Sequence, residues 1–169
     1  MKERVADCKR GPPGALDRGG NRCLIARHVR RAGGGAHGTG EASIMRTAFL
    51  FPGQGSQAAG MGKALAEAYP AARAVFERVD AALGEPLSRL CFEGPVEELS
   101  LTANAQPALM AVSMAAVAAL KAEGADVLAV ADVVAGHSLG EYSALAAVGA
   151  ISLEDAARLL RVRGEAMQA

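Results

Sequence analysis

Tryptophan is absent from this 169-residue chain, and all aromatics together make up only 4% of it. Surfaces that bind single-stranded nucleic acid need aromatics interleaved with cations, so no nucleic-acid partner is expected. Cysteine is scarce too. Cys8, Cys23 and Cys91 are odd in number and form no close-spaced pair, which excludes zinc-ribbon and redox C-x-x-C motifs. They read as free thiols in a reducing, cytoplasmic compartment, with no metal site. No uninterrupted apolar run reaches the ~18 residues that a spanning helix needs, so no membrane association is expected. The N-terminus lacks the apolar core of a secretory signal. The scarcity with most chemical weight is histidine: only His28, His37 and His137 are present.

What is there describes one globular domain behind an unusual leader. Apolar residues make up 51% of the chain, enough for a real core. The zero net charge hides an asymmetry, because residues 1–44 carry nine Lys/Arg against four Asp/Glu and residues 45–169 nine against fourteen. Residues 1–44 also hold nine of the twenty glycines and show no period of 2 or 3.6. This basic, Gly-rich segment is expected to be disordered. Three origins compete for it: a transit peptide, a basic nucleic-acid arm, or translated sequence upstream of a true start at Met45. Its four acids and single serine argue against the first, and its spread charges against the second. A clean strand pattern begins directly after Met45, which favours the third.

The chemically pointed feature is Gly136-His137-Ser138-Leu139-Gly140, which fits G-x-S-x-G, the turn that presents a serine between a strand and a helix. Asp132–Ala135 before it is short and apolar, as a buried strand is, and residues 141–148 after it read as a helix. Glycines flanking the serine let strand and helix approach, and the helix N-terminus offers N–H groups to a developing oxyanion.

Elsewhere the pattern alternates strand and helix. Residues 47–51 form an apolar strand that runs into the loop Pro52-Gly53-Gln54-Gly55-Ser56-Gln57. Helices are expected over residues 58–69, from Pro70 to Gly84, over 95–99 and over 104–123, with the last of these apolar nearly all round. A strand follows at 132–136. Ser152-Leu153-Glu154-Asp155 resembles a capping box opening a final helix that runs to the end. That order is that of a parallel α/β sheet. The last helix meets no closing Gly, Pro or cap, so the chain is expected to be part of a longer protein.

A nucleophilic serine needs a base within hydrogen-bond reach. His28 and His37 lie in the leader, and His137 is adjacent to Ser138, where successive side chains diverge, so it is expected to pack beside the site. The glycine loop after the first strand lies at the same sheet edge as Ser138 and can lend N–H groups. It matches neither phosphate-loop pattern. Arg158 and Arg161 are expected on a solvated helix face.

Four motifs in register carry a resemblance: Phe51-Pro52-Gly53-Gln54-Gly55-Ser56-Gln57, Gln106-Pro107-Ala108-Leu109, Gly136 to Leu145, and Arg161-Val162-Arg163-Gly164 with Met167-Gln168. Residues 45–169 resemble the N-terminal part of the malonyl-CoA:acyl carrier protein transacylases; residues 1–44 do not. The resemblance implies an α/β, parallel-sheet hydrolase-like core with a nucleophile elbow, ending before a small ferredoxin-like subdomain. It implies Ser138 as the catalytic nucleophile, Gln54 and the backbone N–H of Leu139 as the oxyanion hole, Arg163 as the partner of the malonyl carboxylate, and Gln106 near the pocket. A guanidinium fork fits a carboxylate bidentately, which accounts for arginine there. The implied activity moves malonyl from malonyl-CoA through malonyl-serine to acyl carrier protein in fatty-acid synthesis, with no cofactor. The family's base histidine falls beyond residue 169. Two alternatives stay open: an acyltransferase domain of a polyketide synthase, and an inert fragment lacking the base. A simple esterase on the same elbow is disfavoured by Arg163 and the glycine loop.

Overall fold

The computed structural model describes residues 46–168. The expectations for the leader, including Cys8, Cys23, His28 and His37, lie outside the described residues. Among those described, strands β1 (Ala48–Phe51) and β2 (Val133–Gly136) pair in parallel, with Ala48 opposite Val133 and Phe51 opposite Gly136. The crossover between them runs through helices α1 (Lys63–Ala68), α2 (Pro70–Leu83), α3 (Leu87–Glu93), α4 (Val96–Leu99) and α5 (Thr102–Ala122). Helices α6 (Gly140–Ala147) and α7 (Leu153–Gln168) follow β2. The parallel α/β order is as the sequence reads, in a mostly helical body with a small sheet.

Helix α2 buries Ala72, Val75, Phe76 and Val79, the i, i+3, i+4, i+7 stripe of an amphipathic helix. Pro70 opens it, and Gly84, in the left-handed region at φ 70°, closes it. Helix α7 buries Leu153, Ala156, Ala157, Leu160 and Gly164 on a similar stripe. Ser152 Oγ accepts the Asp155 N–H at 3.0 Å and donates to the Asp155 carboxylate at 2.7 Å, so the expected cap forms. Helix α5 lies between α2, α6 and α7 and buries Ala105 to Ala111, Ala115 and Ala119. A second, smaller cluster of Phe51, Ala131, Val134 and Ala144 ties the sheet to α6.

At three helices the structure differs from the sequence pattern. The helix drawn over 58–69 begins only at Lys63, because Gly60 and Gly62 take left-handed φ of 91° and 79°. The one drawn over 104–123 starts earlier, at Thr102. Helix α3 was not anticipated. Its first turn is capped from afar: Asp80 on α2 accepts the Ser88 N–H at 2.8 Å, and no cap precedes it in sequence. Helix α5 has the length and composition of a membrane-crossing helix, although its apolar run is interrupted by polar residues, as the sequence shows. Here just over half of that stretch is buried, against α2, α6 and α7 among others.

Candidate active site

The elbow is built from backbone contacts that admit no side chain. Ser138 has φ 56°, and no other described non-glycine residue has positive φ. Such strain in a residue with a Cβ persists only where its surroundings hold it. They do so here. A Cβ on Gly136 would lie 2.0 Å from the carbonyl of Gly140, and one on Gly140 would lie 2.5 Å from the Phe51 carbonyl oxygen. The strand end, the serine turn and the first turn of α6 are therefore packed backbone to backbone. Leu139, the residue before α6, is fully buried, and its own N–H has no acceptor among the described residues.

Three of the expected site residues come together around the serine. Arg163 on α7 donates from Nη2 to Ser138 Oγ at 3.0 Å and from Nη1 to Gln106 Oε1 at 2.6 Å. Gln106 on α5 is completely buried, and its Nε2 donates to Met167 Sδ at 3.4 Å. That second bond fixes which way the amide faces and keeps Oε1 toward Arg163. The arrangement puts a permanent cation beside a strained hydroxyl. It favours the ionised oxygen and offers a fork to any carboxylate carried by an acyl group there.

Gln54 is placed differently. Its side chain is exposed and donates to Thr102 Oγ1 at 3.4 Å, at the long end of hydrogen-bond range. The loop itself does abut the elbow, since a Cβ on Gly53 would lie 2.4 Å from His137 Nδ1. His137 thus packs on the loop, beside the site. Arg158 is exposed and pairs loosely with Asp155 at 3.5 Å, as expected of a solvated residue.

Arg161 corrects the sequence reading. Its side chain is only 16% exposed and contacts the Glu85 carboxylate, and it donates to Asn104 Oδ1. Burial holds its pKa below the ordinary arginine value, against the opposing charge of Glu165. The signal was present in the spacing: position 161 is four after buried Ala157 and three before buried Gly164, so it lies beside the stripe that packs on α5. Met167, the partner of Gln106, is likewise three after buried Gly164, whereas Thr102, the partner of Gln54, carried no such signal.

A serine held in strain at a strand-to-helix turn, with a cation on its oxygen and a free N–H behind it, makes a nucleophile elbow in an α/β protein. The chain belongs to the family described as the acyl transferase domain, whose profile matches residues 48–169. It is 54% identical over 124 residues to the malonyl CoA-acyl carrier protein transacylase of Bacillus subtilis, covering 73% of this chain and 38% of that protein. Among solved structures it is similar to an acyl-carrier-protein-S-malonyltransferase from Bartonella henselae, with 63% identity, a TM-score of 0.72, and coverage of 74% of this chain and 40% of that one. A further neighbour is a malonyl-transacylase solved in complex with a type II PKS acyl-carrier protein, at 43% identity and TM-score 0.68, covering 73% of this chain and 39% of that one. The chain thus spans about two fifths of the length of these relatives.

Proposed function

We propose that residues 45–169 form the N-terminal, serine-bearing part of a malonyl-CoA:acyl carrier protein transacylase acting in cytoplasmic fatty-acid synthesis. The observation that carries this reading is the Arg163 fork on Ser138 and Gln106. A plain esterase has no use for a partly buried cation at its nucleophile, whereas an acyl group ending in a carboxylate does. The family resemblance supplies the rest: a hydrolase-like sheet completed by later residues, a ferredoxin-like subdomain, and a base histidine with no counterpart in residues 1–169.

In this reading Ser138 Oγ attacks the thioester carbonyl of malonyl-CoA as the base takes its proton. The carbon–sulfur bond breaks and the coenzyme A thiol departs, leaving malonyl-serine. The phosphopantetheine thiol of acyl carrier protein then attacks the ester, and Ser138 recovers its proton. The Leu139 N–H is free to stabilise the tetrahedral oxyanion at each step. Gln54 joins it by exchanging its long bond to Thr102 for the oxyanion. Arg163 turns from Ser138 to the malonyl carboxylate. No cofactor takes part, because the acyl-enzyme itself splits one transfer into two easier ones. The fatty-acid reading is favoured over the polyketide one by the names of the relatives at 54% and 63% identity.

Intact-mass measurement after mixing with malonyl-CoA tests this. The expected result is a gain of one malonyl group mapped to Ser138. An adduct on Ser56 or Ser143 would remove Ser138 from its role. No adduct at all would reject activity of these residues in isolation and leave the inert-fragment reading.

A further inference from the structure

Helix α7 carries two guanidinium groups that grip α5 from different sides. Arg163 takes Gln106 and the serine. Arg161 takes Asn104 Oδ1 at 2.5 Å and the carboxylate of Glu85, in the turn after α2. Residues two apart on an α-helix point about 200° from each other. Asn104 and Gln106 therefore lie on opposite flanks of α5, as Arg161 and Arg163 do on α7. Between the two grips Gly164 presses on the first turn of α5, where a Cβ would lie 2.6 Å from Ala103 Cα and from the Thr102 carbonyl oxygen. Asn104 is itself anchored, its Nδ2 donating to the Glu98 carbonyl at 2.9 Å. Neither partner of Arg161 is hydrogen-bonded to Ser138 among the described residues.

Arg163 cannot anchor its own helix during transfer. One of its two acceptors is Ser138 Oγ, which becomes an ester oxygen, and the guanidinium must turn to the incoming carboxylate. The buried stripe of α7 and the Gln168 bond to Ala103 hold the helix on α5 meanwhile, and Arg161 adds a polar contact close to Arg163 that the exchange leaves in place. We infer that Arg161 is a positioning residue for Arg163: clamped on Asn104 and Glu85, it fixes the rotation of α7 while Arg163 exchanges Ser138 for an acyl carboxylate. The exchange rests on the malonyl reading above, whereas the clamp exists without substrate.

Two readouts on the same proteins separate those parts. The first is the heteronuclear NOE of the Arg163 side-chain Nε–H, assigned by its loss in Arg163→Lys and compared with exposed Arg158 in the same spectrum. The wild type shows a restrained Arg163. Arg161→Met lowers its value to that of Arg158 while the backbone spectrum of α5 and α7 stays folded, and Arg161→Lys restores part of it by meeting Glu85 but not both partners. Should Arg161→Met lose the folded spectrum, Asn104→Ala, which deletes only one acceptor, is read in its place with the same expectation. The second readout is the ratio of malonyl to acetyl adduct formed on Ser138, which falls about tenfold to a hundredfold in Arg161→Met, the scale of a small misplacement of a positioning group. An Arg163 signal as restrained in the variant as in the wild type overturns the inference, as does an unchanged ratio. A wild-type chain that forms no malonyl adduct rejects activity of these residues in isolation instead and leaves the first readout to decide the clamp.

Discussion

Replacing Arg163 by alanine perturbs two separable quantities, and the structure sets the size of each. The first is stability. Gln106 is completely buried, and its Oε1 accepts from Arg163 at 2.6 Å. Truncation leaves that oxygen without a partner in a dry site, a penalty of ~1–3 kcal/mol. For a domain of this size it corresponds to a melting point lower by roughly 2–12 °C. The second quantity is substrate discrimination. If the guanidinium pairs with the malonyl carboxylate, its loss costs malonyl transfer ~2–5 kcal/mol, much of it from the unpaired charge left behind. That is a loss of about thirtyfold to several thousandfold. Acetyl-CoA has no such carboxylate, so acetyl transfer holds level or rises. The assay is single-turnover acylation with each thioester, run in a longer chain that includes the base histidine implied by the family resemblance, beside a melting curve of the present chain. Equal losses for both acyl groups would refute the carboxylate role and make Arg163 a support of the elbow. An unchanged melting point would refute the account of Gln106.

Ser138→Ala removes the malonyl adduct entirely, by intact mass; an adduct persisting in the variant would show another nucleophile. Gly136→Ala forces a methyl into backbone 2.0 Å away, and overpacking that cannot relax costs at least ~1–3 kcal/mol; urea denaturation checks this, and a wild-type midpoint would mean that the elbow is looser than described. Cys91 is buried on α3, and that burial, with help from Asp80, pushes its thiol from 9.0 up to about 12. The unfolded thiol therefore ionises first, so its contribution to stability is complete below pH 9 and is lost as the pH rises toward 12. Urea midpoints between about pH 8 and about pH 10 should fall faster for the wild type than for Cys91→Ala, and parallel slopes would contradict the burial account.

Much of the site was legible because its signals are local. The elbow is five consecutive residues, and the steric need for Gly136 and Gly140 around a strained Ser138 is written in their spacing. The α2 stripe, the Gly84 stop and the Ser152 cap are also contained within one or two helical turns of sequence. Arg163 and Gln106 were placed by resemblance, since nothing in a stretch of charge or amide says which distant group it will meet. Continuous apolar residues at 47–51 read as a strand, but not which of its faces is covered: Phe51 is buried, while Leu50 is 70% exposed among the described residues.

What only the tertiary structure decided are the contacts between residues far apart in the chain. Helix α3 starts on a cap lent by Asp80, eight residues before the amide that it satisfies. Ala103, in the first turn of α5, donates its N–H to Gln168 Oε1 on α7, 65 residues away. A helix start capped by its own preceding residue can be read in sequence, whereas one capped by another helix cannot, because the donor and acceptor meet only after the helices pack. Arg161 shows the same limit. By type it belongs in water, yet Asn104 and Glu85 arrive from two other elements to meet it, and with that company burial costs less than the charge alone would suggest. The chemistry of the serine turn was thus set within a few residues of sequence, and the positions of the groups that face it were set by how α5 and α7 dock.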